Sequence, residues 1–141
     1  MKLLIPVDGS ANADRAVDYV IAYADKLKVL PEIFLINVQL KLALGNVKLF
    51  IDQETVNDYY REQGATALTR AREKLDKAAF AYTYHVSIGT PADAVVRYAR
   101  EHQIDQIVMS AHGEDSISNF LLGSVATKIV QVAEIPVLLV K

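Results

Sequence analysis

The sequence contains no cysteine, which excludes disulfides, thiolate metal sites, iron–sulfur clusters and a cysteine nucleophile, and which fits a reducing compartment. It has no run near the roughly 18 apolar residues of a membrane span. The opening MKLLIPVDGS is a short apolar stretch closed by Asp8 rather than a secretory signal, so a soluble, cytoplasmic chain is expected. Positive charge is not in excess. The 15 Lys and Arg stand against 17 Asp and Glu, a net charge of −2 that offers no broad attraction to nucleic acid or to an anionic membrane. Repeats, low-complexity tracts and Ser/Gly-rich linkers are absent. So are a Gly-x4-Gly-Lys-Ser/Thr phosphate loop, a Gly-x-Gly-x-x-Gly after the first apolar run, and His-Glu-x-x-His. Phosphoryl transfer normally assembles a metal, a cationic clamp and an activated nucleophile. Of these only fragments are visible, Asp8 and Lys128, so dedicated catalysis is not expected and any hydrolysis would be slow.

What is present is 141 residues, the length of one domain (1–141), with 52% hydrophobic residues to build its core. Leu3 to Val7 is a continuous apolar run ended by Asp8-Gly9-Ser10, the pattern of a strand buried on both faces and then a turn. From Asn12 to about Val29, Ala16, Val17, Val20, Ile21, Ala24 and Leu27 recur at helical steps until Pro31. Ile33 to Val38 reads as a second buried strand, and residues 39–52 have no clear period. A long helix is predicted over Gln53 to Ala79. Its apolar face carries Tyr60, Ala67, Leu68, Ala71, Leu75 and Ala78, and Glu73 and Lys77 stand at i,i+4 spacing. A third strand follows over Ala81 to Ile88. Thr90-Pro91-Ala92-Asp93 then opens a helix to His102, with Thr90 as its cap and Asp93 facing its positive end. A fourth strand over Asp105 to Ser110, a last helix marked by Val125, Ile129, Val132 and Ala133, and a fifth strand over Pro136 to Val140 complete the chain. Strands joined by helices make parallel pairs, so the fold class is α/β: a doubly wound, Rossmann-like parallel sheet with helices on both faces. Ligands of such sheets sit beyond the carboxyl ends of the strands, at Asp8, Val38, Gly89 and Ser110 to Gly113.

The stretch Ser110-Ala111-His112-Gly113, followed nine residues later by Gly123-Ser124-Val125, leaves a strand and enters a helix. Glycine lets backbone N–H groups approach an anion, and a helix start favours negative charge, so this window could hold phosphate. On spacing alone it also reads as a strand-exit turn glycine and an ordinary loop with a capping serine. Asp8 before Gly9 is a favourable turn residue as well as a candidate ligand. His112 could donate to phosphate or bond to backbone. His85 and His102 have no metal-site spacing, Tyr59-Tyr60 reads as helix packing rather than a base-stacking platform, and Glu62, Glu73 and Asp76 read as a solvated helix face.

On Leu3-Leu4-Ile5-Pro6-Val7-Asp8-Gly9-Ser10, Ile36-Asn37-Val38, Gly89-Thr90-Pro91 and Leu121 to Val125 with Pro136 to Val140, the whole chain resembles the universal stress proteins of the UspA type. The resemblance implies the sheet order 3-2-1-4-5 and a homodimer through the last strand. Its nucleotide-binding members carry Gly-x2-Gly-x9-Gly-Ser/Thr, of which Gly113, Gly123 and Ser124 match while Ser110 replaces the first glycine. It further implies Pro6, Val7, Asp8 and Val38 around an adenosine, Met109 and Ser110 beneath it, and Gly113, Gly123, Ser124 and Val125 at the phosphates. Asp8 would then lie near the ribose or a nucleotide-bound Mg ion.

The expected function is therefore a homodimeric module binding ATP or AMP in stress response or signalling, with a protein partner that the sequence does not name. A nucleotide-free interaction module of the same fold is the alternative, motivated by Ser110 and Glu114-Asp115. A small hydrolase or phosphatase is a more distant third. The apolar final strand, Pro136 to Val140, gives the dimer a physical basis, because an exposed strand edge of that composition needs covering.

Overall fold

In the computed structural model, residues 1–45, 50–113 and 122–141 are described. The elements run β1 (Lys2–Pro6), α1 (Ala11–Ala24), β2 (Glu32–Gln39), α2 (Gln53–Lys77), β3 (Tyr82–Ile88), α3 (Pro91–Glu101), β4 (Gln106–Ser110), α4 (Ser124–Val132) and β5 (Val137–Val140). All five strands are parallel, in the order β3-β2-β1-β4-β5.

The period-two alternation of the strands divides the core. Leu3, Ile5 and Val7 of the β1 segment, Ile33 and Leu35 of β2 and Val108 of β4 pack with Val17 and Val20 of α1 and Leu68, Ala71 and Leu75 of α2. The intervening residues Leu4, Ile36, Ile107 and Met109 face the other way, onto Val95, Tyr98 and Ala99 of α3 and Ala126 and Ile129 of α4. Burying each large side chain stabilises by about 1.5–3 kcal/mol, so β1, apolar on both sides, is held from two directions. Among the described residues no helix is long and apolar enough to cross a membrane.

Local chemistry fixes the helix starts. Ser10 caps α1, its hydroxyl accepting from the Ala13 N–H at 3.2 Å, and Asp52 caps α2 by accepting from the Thr55 N–H at 2.7 Å. Gly9 between β1 and α1 has φ +86, and a Cβ there would lie 3.1 Å from Ala67 Cα of α2. Only glycine meets both conditions without cost.

Three expectations change. The first helix ends at Ala24, not near Val29, because no further side chain reaches the core. Lys26 and Leu27 make tight turns back to Tyr23 and Ala24, and Val29 and Leu30 stand 79% and 60% exposed. Thr90 does occupy the cap position of α3, with Pro91 inside, but its side chain makes no capping bond. Glu73 and Lys77 form no ion pair. The charges of α2 reach across to α1 instead, Arg70 to the buried Asp14 and Lys74 to Asp18 at 2.6 Å. Glu62, Glu73 and Asp76 are exposed, as expected of a solvated face.

His85 of β3 and His102 after α3, far apart in sequence, flank the Tyr98 ring at centroid distances of 5.2 and 3.8 Å in a near-parallel stack. Desolvation, then the positive form of His102, lowers the His85 pKa below the ordinary 6.5, with Glu101 opposing. The stabilising contribution of neutral His85 is therefore complete above about pH 6.5 and is lost as pH falls through its lowered folded value. In NMR titration the His85 ring titrates below 6.5, and His102→Asn moves its midpoint upward; a midpoint above 6.5 contradicts the stack's electrostatics. Gly64 lets α2 approach β3, since a Cβ there would sit 2.3 Å from Val86 Cγ1. Gly64→Ala, which would stabilise an ordinary helix interior, is expected to cost about 1–3 kcal/mol in urea unfolding, and Val86→Ala in the same chain should recover part of that loss.

Candidate functional site

Strand order reverses around β1. The chain builds outward through β2 and β3 on one side, then returns to place β4 and β5 on the other. The crossovers therefore part at the carboxyl ends of β1 and β4, where a cavity of about 760 Å³ opens, within the size range of small-molecule sites.

Its floor is backbone held rigidly in place. The Val7 N–H donates to the Ile36 carbonyl at 2.8 Å, continuing the sheet beyond β1. Buried Asn37 donates from Nδ2 to the Val7 carbonyl at 2.8 Å, while its Oδ1 accepts from Gln39 Nε2 at 2.7 Å. One carboxamide thus ties the exits of β1 and β2 together. On the β4 side the Ala111 N–H donates to the Val140 carbonyl at 2.9 Å, and the Gly123 N–H returns to the Ala111 carbonyl at 2.8 Å. That last bond closes the base of the loop and sets the first turn of α4 against the strand ends. The two glycines are in close approach, as a Cβ on Gly123 would lie 3.2 Å from the Gly113 nitrogen.

The residues expected around a nucleotide all line this cavity, whereas Gly89, Ala111 and Lys128 do not. Pro6, Val7 and Asp8 come from the exit of β1, Val38 from β2, Met109 and Ser110 from the end of β4, Gly113 from beyond it, and Gly123, Ser124 and Val125 from the start of α4. Their local roles are specific. Asp8 is a turn residue: its Oδ1 accepts from the Ser10 N–H at 2.9 Å and the Ser10 hydroxyl at 2.6 Å. Its Oδ2 lies 3.3 Å from where a Gly113 Cβ would stand, so the carboxylate also borders the loop. Ser110 is buried and its hydroxyl accepts from the His112 N–H at 3.2 Å. Gly123, not Ser124, is the cap of α4. It has no side chain to bond the first-turn amides, and Ser124 is the first helical residue. This corrects the capping-serine alternative. Glu114 and Asp115 lie outside the described residues, as do Leu121 and residues 46–49 of the stretch without a clear period.

The sequence reading missed part of the wall. Tyr60 is buried and its hydroxyl accepts from the Leu42 N–H at 2.7 Å, pinning the segment after β2, while Tyr59 is half-exposed and meets Tyr60 edge-on at 6.1 Å. Both rings border the cavity, as do Gln39, Leu40 and Leu42; His112, considered from the sequence, borders it too. A polar Asn37 inside the apolar run Ile-Asn-Val was the available signal for the tie at the strand exits. Nothing in the spacing of α2 announced that its first turns face the strand ends.

The described lining contains no Lys or Arg; its ionisable side chains are Asp8, Tyr59, Tyr60 and His112. No group of three or more His, Cys, Asp and Glu that could hold a metal occurs among the described residues. A single carboxylate supplies only part of the oxygen set a divalent ion takes, so an ion meeting Asp8 needs further ligands. Among the described residues the cavity offers an apolar cleft that suits a flat group, backbone polar atoms at the strand ends, and a helix start whose first-turn amides suit an anion.

The universal stress protein family model matches residues 1–141. Universal stress protein MJ0531 of Methanocaldococcus jannaschii is 28% identical over 140 residues, which cover 99% of this chain and 81% of that one. The solved structure of MJ0577 superposes with a TM-score of 0.83 at 26% identity, covering 99% of this chain and 94% of that one. Three more distant structures, at 22%, 21% and 18% identity with TM-scores of 0.72, 0.64 and 0.66, share the fold. They are a universal stress protein in complex with cAMP, the Archaeoglobus fulgidus protein with dAMP and an Arabidopsis thaliana member with AMP bound. Sequence pattern, sheet order and whole-length match agree: the chain belongs to the universal stress protein family.

Proposed function

We propose that this protein is a homodimeric adenine-nucleotide-binding module, taking ATP or AMP, that acts in cytoplasmic stress response or signalling through a protein partner. One observation carries the reading: the 760 Å³ cavity at the reversal of strand order, bordered by backbone at the exits of β1 and β2 and by the uncapped start of α4. In this reading the adenosine lies among Pro6, Val7, Asp8 and Val38, above Met109 and Ser110. The phosphate meets Gly113, Gly123, Ser124 and Val125, and Mg, where it takes part, arrives on the phosphates and meets Asp8. The family members solved with cAMP, dAMP and AMP support the choice of adenine.

The alternative, an interaction module without nucleotide, is favoured by the Ser110 hydroxyl, which accepts from the His112 amide. Nucleotide released in stoichiometric amount from the denatured, purified protein would reject it.

Gly123→Asp puts bulk 3.2 Å from the Gly113 nitrogen and a negative charge at the helix start. It is expected to weaken AMP binding at least 30-fold in calorimetry, or about 2 kcal/mol, with thermal melting to confirm the fold. Unchanged affinity would mean the phosphate site lies elsewhere. The dimer is supported by β5, an edge strand whose residues Val137 to Val140 are all only half-buried. Sedimentation at micromolar concentration should give a dimer, and monomer alone would reject the pairing.

A further inference from the structure

Building on the adenine-nucleotide reading, we infer that Gln39 reads the base: its carboxamide, held in one orientation, accepts a 6-amino purine and rejects a 6-oxo purine. The orientation is dictated from the backbone. The Val7 carbonyl can only accept, so the Asn37 atom set against it at 2.8 Å is the donor Nδ2, and Oδ1 lies on the other side of that buried carboxamide. Oδ1 in turn can only accept, so the Gln39 atom 2.7 Å from it is Nε2. Turning either carboxamide over would set two oxygens against each other. The backbone of Gln39 is fixed as well: it is the last residue of β2, paired with Ile88, and its carbonyl accepts from the Gly89 N–H at 2.9 Å.

This arrangement leaves Gln39 one acceptor, Oε1, and the second hydrogen of Nε2. Oε1 has no hydrogen-bond partner among the described residues, and no buried side-chain oxygen or nitrogen among them lacks one, so Oε1 is not sealed in the interior. The side chain is half-buried and lines the cavity next to Val38, in the part given to the adenosine. The neighbouring polar groups of β2 and α2 discriminate less. Asn37 is engaged with Val7 and Gln39, and the Tyr60 hydroxyl oxygen holds the Leu42 N–H at 2.7 Å. A tyrosine hydroxyl, that of Tyr59 included, rotates its hydrogen to suit either a donor or an acceptor, whereas a locked carboxamide cannot exchange its two ends. Adenine carries the N6 amino donor beside the N7 acceptor, a pair that a Gln side chain meets with two hydrogen bonds. A 6-oxo purine has an oxygen in place of the amino group, and that oxygen would face Oε1. The analogue then leaves a fixed polar group unpaired, which is how a hydrogen-bonding site rejects a near-isostere.

The test is calorimetric titration of the whole chain with AMP and with inosine monophosphate, its 6-oxo counterpart. AMP should bind more tightly by about tenfold or more. Gln39→Leu, checked for folding by circular dichroism, should weaken AMP by about fivefold or more, leave inosine monophosphate within about twofold, and so bring the ratio below about threefold. A smaller ratio in the unaltered protein, or one that survives in Gln39→Leu, overturns the inference and leaves the adenine-nucleotide reading standing. Failure of both ligands to bind overturns that reading and the inference with it. Independently of any variant, the side-chain NH2 signals of Gln39 in 15N NMR should shift as AMP saturates the protein. Signals that stay in place at saturation contradict the part given to Gln39.

Discussion

Burial of β1 on both faces is the constraint from which the rest follows. Leu3, Ile5 and Val7 need one layer of helices and Leu4 needs another, so the strand must lie centrally with crossovers on each side. Parallel strands can be joined only by such crossovers, and the direction of build changes once, next to β1. The cleft at its carboxyl end is thus a consequence of how the core is filled, not a feature added to it. Nearly every functional candidate is a residue at which a strand stops or a helix begins.

The fold was legible because the signals for it are local and repeated. The apolar runs Leu3 to Val7 and Ile33 to Val38, the Asp-Gly-Ser exit and the Thr-Pro entry each give the same answer as the whole. The less legible parts depend on contacts across the fold. Periodicity carried the first helix past Ala24, but periodicity does not say where the sheet ends, and beyond that point an apolar face has nothing to pack against. Glu73 and Lys77 have helix-pair spacing, yet the neighbouring Asp18 draws Lys74 across to α1. Likewise the chain separation of His85, Tyr98 and His102 hid a stack that only the pairing of β3 beside β2, under α3, creates.

For the site, the residues at element ends could be read in advance and their chemistry could not. Gly113 and Gly123 stand where a tight loop needs them, but whether the loop offers amides to a ligand depends on which ones its own oxygens have taken. Asp8 serves its turn and still borders the cradle. Tyr59 and Tyr60 reach the cavity through the angle at which α2 starts, a property of packing rather than of spacing. What emerges among the described residues is a cleft rich in backbone and apolar surface, set where the strands end and the last helix begins.

The central claim is that a nucleotide's anionic end rests on the first turn of α4 while its base lies at the exits of β1 and β2. Amide NMR of the 15N-labelled protein titrated with AMP tests this most directly. The account predicts saturable shifts largest at Ser124, Val125 and Ala126, with a second group at Val7, Asp8 and Val38. Saturable shifts confined to other surfaces, or none at the start of α4, would contradict it.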